Sequence, residues 1–266
     1  MQAVGRAAHK GIFSIEKMNT EQQRIHYRTV VVSDIHLGYK QSKALQVSEF
    51  LSSVNCDRLI LNGDIIDGWQ FRKSSDSRWK PEYTKLLKII MKMMEKEGTE
   101  VVYVVGNHDA FFDYVVPLSF SSISIVRDYI LQSGSHRYFV THGDIFDNIS
   151  SNMKWLAKLG DLGYRILLRL NQLYNRYRSW RGKPYYSFSA AIKQKVKKAV
   201  SSMSDFEDMV VDVARSHKCD GVICGHTHCP EDRMIGEVRY LNSGDWVESL
   251  SALVEDDDGN WTIRRF

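Results

Sequence analysis

The chain has 266 residues, of which 43% are hydrophobic and 26% are charged, a composition typical of a globular protein with a sizeable core. No apolar run reaches the roughly 18 residues that a membrane-spanning helix needs, and the N-terminal segment mixes charged with apolar residues, which also argues against a signal peptide. The formal net charge is +4, but residues 151–200 carry many Lys and Arg with Asp161 as the one acid, and such a stretch attracts phosphates.

The predicted elements begin after a leader. Residues 1–28 have no clear hydrophobic period and are predicted to form a loose extension outside the fold. Short β-branched runs predict buried strands at 29–33, 58–61, 101–105, 138–140 and 221–224. Amphipathic patterns predict helices at 42–53, 81–97 and 206–216. This alternation of strands and helices is typical of an α/β layered architecture.

The pattern changes after Gly236. Runs at 237–241, 247–254 and 261–265 predict antiparallel strands with a hairpin at Asp258-Gly259, and therefore a second, partly antiparallel sheet region. The chain shows no internal repeat and no low-complexity linker. Residues 29–266 are therefore predicted to form a single domain, in which residues from about 151 to 203 are a helical insertion.

Cysteine usage indicates a reducing compartment. The four cysteines form no Cys-x-x-Cys pair, and a chain of this length does not need a disulfide framework. Cys224 and Cys229 flank a histidine pair, where a metal role is the alternative, but they are predicted to be buried as small hydrophobes. The chain is predicted to be cytoplasmic.

Polar clusters follow the predicted strands. They are Asp34-Ile-His36, Gly63-Asp64-Ile-Ile-Asp67, Gly106-Asn107-His108-Asp109, His142-Gly-Asp144 and Gly225-His226-Thr-His228. The carboxyl ends of strands in α/β sheets are where ligands bind, so these side chains are expected to converge. One such cluster alone is weak evidence, but all of them in this order are not explained by independent structural accidents. Carboxylate, imidazole and amide groups together suit borderline ions such as Mn²⁺, Fe²⁺ or Zn²⁺ better than Mg²⁺ or Ca²⁺.

Taken in order, the clusters resemble the signature of the calcineurin-like metallophosphoesterases over about residues 29–244. The matching motifs are Ser33-Asp-Ile-His-Leu-Gly38, Asn62-Gly-Asp-Ile-Ile-Asp67, Gly106-Asn-His-Asp109, Thr141-His-Gly-Asp144 and Gly225-His-Thr-His228. The resemblance implies an α/β fold of four layers, α/β/β/α, in which two mixed β-sheets are flanked by helices. It also implies two divalent metal ions, with Mn²⁺ expected and Fe²⁺ or Zn²⁺ as alternatives.

The same resemblance implies the metal ligands. One ion would be held by Asp34, His36, Asp64 and His228. The other would be held by Asp64, Asn107, His142 and His226, so that Asp64 bridges the two. A pair of metals clamps a phosphoryl group and lowers the pKa of water until hydroxide is available near neutrality. The implied reaction is hydrolysis of a phosphoester or pyrophosphate.

The histidine after Asn107 is predicted to be catalytic. His108 would donate a proton to the departing oxygen or otherwise stabilise it, and Asp109 would orient the His108 imidazole. Asp67 is predicted to fix His36 or another ligand. The alternative is that His108 is a turn residue without a catalytic role.

The basic stretch is predicted to contain an amphipathic helix. From Trp155 to Tyr177, apolar residues recur at helical spacing beside a stripe of Lys and Arg. This helix either packs on the domain core with its charges in solvent, or forms a cap or membrane-surface element. In the second interpretation, Arg165 and Arg169 are predicted to bind an anionic, acyl-bearing substrate.

A helical insertion at this position, together with Gly225-His-Thr-His228, is similar to the UDP-2,3-diacylglucosamine pyrophosphatases of lipid A synthesis. Those enzymes release lipid X and UMP at the membrane surface. The resemblance implies a nucleotide-linked acylated sugar as substrate and a location on the cytoplasmic face of the inner membrane. Those enzymes carry Arg in the Gly-Asn-x-Asp slot, where this chain has His108, so the reaction class is implied more closely than the substrate.

Two other functions are alternatives to this one. A phosphodiesterase or nuclease acting on nucleic acid or a nucleotide fits the same metals and the basic stretch, and aromatics such as Tyr174, Tyr177 and Trp180 would stack on bases. The Leu-rich periodicity of the insertion favours acyl chains over bases. A noncatalytic scaffold is expected to have lost a metal ligand, and none of the motif positions has lost one.

Overall fold

The computed structural model describes residues 24–73, 78–144, 174, 176–178, 180–182 and 201–266. Most of the predicted N-terminal extension and of the basic insertion, including Arg165 and Arg169, lies outside these residues. Within the part of the chain that is described, no helix is long and apolar enough to cross a membrane.

The strands and helices alternate through the first half of the chain. The strands are β1 (Ile25–Val32), β2 (Val54–Asn62), β3 (Glu100–Val104), β4 (Leu118–Phe120), β5 (Ile123–Val126), β6 (Asp128–Ser133), β7 (His136–Thr141), β8 (Gly221–Cys224), β9 (Glu231–Ile235), β10 (Val238–Asn242), β11 (Ser251–Glu255) and β12 (Trp261–Arg265). The α-helices are α1 (Ala44–Ser53), α2 (Gly68–Lys73), α3 (Pro81–Glu97) and α4 (Ser201–Ser216), and a 3₁₀ helix covers Asn107–Tyr114.

The strands form two mixed sheets. The first has seven strands in the order β12-β11-β1-β2-β3-β5-β4, and the second has five in the order β6-β7-β8-β10-β9. In the first sheet β1, β2, β3 and β5 are parallel, and in the second β7, β8 and β10 are parallel. Parallel strands place their carboxyl ends at one edge of a sheet, where the polar clusters begin.

Three apolar cores separate four layers. Leu51 of α1 and Leu86 of α3 belong to the core on the outer face of the first sheet. Ile60 and Ile223 meet in the core between the two sheets. Val210 of α4 belongs to the core on the outer face of the second sheet. The predicted α/β architecture of two mixed sheets flanked by helices is confirmed.

Helix α3 shows how the sequence defines an element at both ends. Pro81 lies in its first turn, where the missing N–H costs no hydrogen bond. Tyr83, Ile90 and Met93 recur at helical spacing and are buried. The helix ends at Gly98, whose φ of 75° is left-handed and whose amide donates to the Met93 carbonyl. The opposite face of α3 remains exposed.

Strand β1 begins earlier than the sequence predicts. It starts at Ile25, so residues 25–28 belong to the first sheet and not to the N-terminal extension. They pair with β2 from Val54 onward. His26 and Arg28 are exposed, and these polar positions interrupt the apolar run by which the rest of the strand is recognised.

The antiparallel pairing predicted after Gly236 is found between β11 and β12, but the strands of this region do not form a sheet of their own. β10 pairs parallel with β8 in the second sheet, while β11 and β12 extend the first sheet. The strand predicted at 247–254 is shorter, because the Asp245 carboxylate accepts the amides of Val247 and Glu248 and folds them into a turn. The β11–β12 hairpin at Asp258-Gly259 is confirmed.

The cysteines carry no disulfide. Cys224 is buried, as predicted, and so are Cys56 and Cys219, whereas Cys229 is exposed and its predicted burial was wrong. Burial raises the pKa of the Cys224 thiol to about 12, so this residue is a neutral thiol at physiological pH.

Candidate metal centre

The predicted ligands lie in loops that follow β1, β2, β3, β7 and β8. Two of these loops are joined by backbone hydrogen bonds, from the Asp34 amide to the Gly63 carbonyl at 3.0 Å and from the His36 amide to the Asp64 carbonyl at 2.9 Å. The Asn62 side chain donates to the Thr141 carbonyl at 3.1 Å and so links the two sheets. The carboxyl ends of both sheets therefore meet at one site.

Several predicted ligands have left-handed backbone conformations. They are Asp34 (φ 52°), His36 (φ 50°), Asp64 (φ 54°), His226 (φ 64°) and His228 (φ 58°). Residues other than glycine rarely adopt positive φ, and each such conformation costs on the order of 1–3 kcal/mol. Strain of this kind is typical of functional sites, because the conformation aims a side chain that an unstrained strand end would point elsewhere.

The motif glycines allow the loops to approach closely. A Cβ atom at Gly63 would lie 2.3 Å from the ring of His142, and one at Gly106 would lie 2.4 Å from Oδ1 of Asp64. Both separations are far below van der Waals contact. Glycine at these positions is therefore a condition for bringing His142 and Asp64 into the site.

Three overlapping groups of side chains converge at this edge, the third of which consists of His36, Asp64 and His108. In the first, Nε2 of His228 lies 3.3 Å and Nε2 of His36 lies 3.8 Å from Oδ1 of Asp34. In the second, which Asp34 shares, Nε2 of His142 lies 3.4 Å from Oδ2 of Asp64. The ligand atoms within each group lie within 4.8 Å of one another. This spacing allows each group to share one ion.

Asp64 lies between the groups. Its Oδ2 is 3.8 Å from Nε2 of His36 and 3.8 Å from Nε2 of His108, in addition to its contact with His142. Its Oδ1 accepts the His108 amide at 2.8 Å, which fixes the orientation of the carboxylate. Asp64 therefore faces His36 of the first group and His142 of the second.

Buried atoms that lack a hydrogen-bond partner test whether metals fit. Among the described residues, Oδ1 of Asp34, Oδ1 of Asn107 and Nε2 of His142 are buried without such a partner. Nδ1 of His142 lies 3.0 Å from the Asn62 carbonyl, which places the ring proton on Nδ1 and leaves Nε2 as a lone-pair donor. A buried polar atom without a partner costs about 1–3 kcal/mol, and a cation at this point supplies the missing partner. The residues present fit a metal centre.

His226 reaches the same centre by another route. Its amide donates to Oδ2 of Asp34 at 3.1 Å, and its ring centroid lies 5.2 Å from that of His142. The contacts thus bring Asp34, His36, Asp64, His142, His226 and His228 to one site. Asn107 begins the 3₁₀ helix that follows β3, directly before His108, whose amide donates to Asp64.

The carboxylate beside His108 is Asp67. Nδ1 of His108 lies 3.1 Å from Oδ1 of Asp67, and Nδ1 of His36 lies 3.7 Å from Oδ2 of Asp67. The carboxylate of Asp109 instead accepts the amides of Ile66 at 2.8 Å and Ile65 at 3.2 Å. The orienting role predicted for Asp109 was therefore wrong: its side chain is turned into the β2 loop, and Asp67 holds the ring.

Two residues that the sequence did not suggest support the last motif. Oδ2 of Asp245 lies 3.4 Å from Nδ1 of His228. The Asn242 side chain donates to the Gly225 carbonyl and to the Thr227 hydroxyl, each at 2.9 Å. Asn242 ends β10 and Asp245 follows it, and β10 pairs with β8, so the signal that would have found them is a polar cluster at the end of a further parallel strand.

The carboxylates give the site a strong negative potential. Burial opposes the charged form of His142, but Asp64 and Asp34 outweigh burial and raise the pKa of His142 to about 10. Burial likewise disfavours ionised Asp64, yet His142 holds the pKa of Asp64 well below its usual range. The field that stabilises an imidazolium also stabilises a divalent cation.

The electrostatics of His108 favour its protonated form. Burial lowers the pKa of this ring, but the contact with Asp67 and the charge of Asp64 together raise it above its ordinary value. The protonated imidazole is the form that can donate a proton. The arrangement therefore supports the predicted role in stabilising a departing oxygen.

The four-layer fold and a paired Asp, His and Asn centre define the chain as a metal-dependent phosphoesterase. A family model described as "Calcineurin-like phosphoesterase" matches residues 27–230, and the chain belongs to that family. The family uses a dinuclear metal centre. When bound, the metals supply Lewis-acid polarisation of the phosphoryl group and a hydroxide nucleophile near neutral pH.

Similar proteins carry a more specific name. The chain is 26% identical over 253 residues to the UDP-2,3-diacylglucosamine hydrolase of Psychromonas ingrahamii, covering 89% of this chain and 97% of that protein. It is 24% identical over 241 residues to the enzyme of the same name from Aeromonas salmonicida, covering 85% and 89%. Among solved structures, it is similar to the E. coli phosphoesterase YfcE, with a TM-score of 0.42 and 15% identity over 89% of this chain and 97% of that one.

Proposed function

We propose that the chain hydrolyses the pyrophosphate bond of UDP-2,3-diacylglucosamine, giving lipid X and UMP, with two Mn²⁺ ions and at the cytoplasmic face of the inner membrane. The names of the relatives from Psychromonas ingrahamii and Aeromonas salmonicida support this substrate. The observation that carries the proposal is an aromatic cleft that opens beside His108.

The cleft has the size and the lining that an acyl-bearing substrate needs. Its volume is about 760 Å³, and its aromatic lining residues are Trp69, Phe71, Phe111 and Tyr114. The ring centroids of Trp69 and His108 lie 4.3 Å apart. Trp69 and Phe111 remain 45% and 46% exposed, so the cleft presents apolar surface that a bound acyl group would cover.

A smaller cleft is lined by two of the predicted ligands and shares His108 with the first. Its volume is about 390 Å³, and its lining includes His36, Asp67, His108 and His228. A substrate with its phosphates at the metal ligands would therefore extend its apolar part past the His108 ring into the aromatic cleft.

His108 acts on the oxygen that leaves. Water adds its oxygen to one phosphorus as the bond between that phosphorus and the bridging oxygen breaks. Asp67 holds Nδ1 of His108 and directs Nε2 toward Asp64 and the ligands. From there Nε2 donates a proton to the departing phosphate oxygen, so that charge does not accumulate on it.

The substrate contacts predicted for Arg165 and Arg169 lie outside the described residues and stay predictions. If they bind the phosphates or sugar of a lipid substrate, replacing both by Ser raises the Michaelis constant for that substrate and leaves the hydrolysis of a small aryl phosphodiester nearly unchanged. Equal losses on both substrates would exclude a role in substrate recognition.

The test is Mn²⁺-supported hydrolysis of UDP-2,3-diacylglucosamine in detergent micelles, followed by the release of UMP. We expect metal-dependent UMP release by the full chain and none by Asp64→Ala. Trp69→Ala should raise the Michaelis constant for the acylated substrate and leave the turnover of bis-p-nitrophenyl phosphate unchanged.

Two outcomes would overturn the substrate assignment. One is turnover of the aryl phosphodiester without any UMP release. The other is faster cleavage of a single-stranded oligonucleotide than of the lipid, which would favour the nuclease alternative and assign the aromatic cleft to base stacking.

A further inference from the structure

The exposed face of helix α3 forms a groove that the catalytic site does not use. Its volume is about 740 Å³, and it is lined by Trp79, Lys80, Pro81, Thr84, Lys85, Lys88, Ile89 and Lys92. Among the described residues, its lining holds lysines and no acid. The groove therefore combines a positive rim with an apolar floor.

The lysines are arranged along one line of the helix. Lys85, Lys88 and Lys92 are spaced by three and four positions, which places them on one face, and all are exposed. Lys80 lies 3.8 Å from Glu82, and Lys92 lies 3.8 Å from Glu97. Across the described residues, no carboxylate lies within ion-pair distance of Lys85 or Lys88, so these two charges face solvent.

An indole at the start of the helix completes the groove. Trp79 is 46% exposed, although its Nε1 donates to the Thr84 hydroxyl at 2.8 Å. Its ring stacks on Phe71 with the centroids 5.8 Å apart, and Phe71 also lines the aromatic cleft beside His108. The lysine groove therefore starts next to the mouth of the substrate cleft.

We infer that this groove, formed by Trp79 and the lysines of α3, is a docking surface for an anionic lipid bilayer. Lysine stems lie along apolar surface while their charged ends reach the headgroups, and Trp prefers the boundary between headgroups and acyl chains. Among the described residues, the lining of the groove includes no Arg, whose planar fork suits one fixed phosphate. Separate ammonium charges instead match a layer of mobile phosphates. A single indole suits a lipid boundary better than a strand of bases, which requires several stacking rings.

The inference goes beyond the proposed substrate, because docking needs only the lipid surface. It nevertheless explains how a substrate with acyl chains would reach the site, since Phe71 of the cleft stacks on Trp79 of the groove. If α3 is bound to the bilayer, the mouth of the cleft lies close to the bilayer surface.

The test is co-sedimentation of the full chain with vesicles of phosphatidylcholine containing phosphatidylglycerol, compared with pure phosphatidylcholine. The variant is Lys85→Gln with Lys88→Gln, which retains helix propensity and removes two charges. Since each lysine strengthens binding to an anionic surface about fivefold, we expect binding of the double variant to fall about 25-fold. Arg264→Gln with Arg265→Gln on β12 makes the same change in net charge at another surface and should have little effect.

Both variants should keep the wild-type circular dichroism and the wild-type turnover of bis-p-nitrophenyl phosphate, which shows that folding and chemistry are intact. Asp64→Ala should bind the vesicles as the wild type does, so docking is measured even if UDP-2,3-diacylglucosamine is not the substrate. Equal binding of the lysine variant and the wild type would overturn the inference. Equal binding of the wild type to both kinds of vesicle would also overturn it. So would a double variant in which the Lys85 and Lys88 substitutions weaken binding to an oligonucleotide but leave binding to the vesicles unchanged.

Discussion

The molecule buries carboxylates in two different ways. Glu255, at the end of β11, is 2% exposed, and both of its oxygens are occupied. The hydroxyl of Thr29 on β1 donates to one oxygen at 2.6 Å, and the hydroxyl of Ser133 on β6 donates to the other. Because β1 and β6 belong to different sheets, Glu255 joins the two sheets through satisfied hydrogen bonds.

Asp34 follows the carboxyl end of β1 and is also fully buried, but its environment differs from that of Glu255. Its Oδ2 accepts the His226 amide, while its Oδ1 faces Nε2 of His36 and His228 without a hydrogen bond among the described residues. The backbone of Asp34 is also left-handed, whereas Glu255 lies in a regular strand. A satisfied carboxylate in an unstrained strand stabilises the fold, whereas an unsatisfied one in a strained loop is arranged for a ligand.

The largest effect on turnover is expected from Asp64→Ala. This carboxylate faces ligands for both metals. Its loss should therefore prevent the binding of two metals and lower kcat/KM by at least about 10⁴-fold. Metal content of the purified protein, measured by mass spectrometry, should fall together with activity. A variant that keeps two metals per chain and wild-type turnover would show that Asp64 is not needed to hold the metals.

The next largest effect is expected from His108→Ala. This change leaves the ligands in place, so metal content should stay at the wild-type level while kcat falls by roughly 10²–10⁴-fold, the range for loss of a general acid. Asp67→Asn should lose less, because the imidazole remains but is no longer held by a charge. Retention of wild-type kcat in His108→Ala would restore the interpretation of His108 as a turn residue.

Asp245→Asn should weaken the site without removing a ligand. The substitution keeps the oxygen that accepts the amides of Val247 and Glu248, but it places an amide where Oδ2 faces Nδ1 of His228. Loss of such a partner typically costs about 10–100-fold in metal affinity. Titration of the apoprotein with Mn²⁺ by calorimetry measures this, and unchanged affinity would show that Asp245 only shapes the turn.

The smallest effect on turnover, and a clear effect on stability, is expected from Glu255→Ala. The hydroxyls of Thr29 and Ser133 would be left buried without an acceptor, which should lower the free energy of unfolding by about 2–4 kcal/mol. Metal content and kcat at low temperature should match the wild type. Glu255→Gln, which can still pair with both hydroxyls, is the control. A loss of metal in Glu255→Ala would contradict the assignment of Glu255 to the fold and not to the metal site.

Much of the candidate site could be predicted from the sequence, because each ligand directly follows a recognisable strand. The clusters after β1, β2, β3, β7 and β8 converge as expected from the carboxyl ends of parallel strands. The missed strands β4, β5, β6 and β9 are short or lie at sheet edges, with few buried residues to give a periodic signal. Their pairing depends on neighbours that are distant in sequence.

The sequence by itself determined which side chains form the centre and in what order they leave the strands, since an apolar run followed by Gly, Asp, Asn or His is a local pattern. Only the tertiary structure decided that Asp67 and not Asp109 holds His108, that Asp245 faces His228, and that β10 and β11 part into different sheets. These contacts join loops that are far apart along the chain. Side-chain direction within a loop, and the partner that a strand edge finds, are set by packing between layers, which no local pattern encodes.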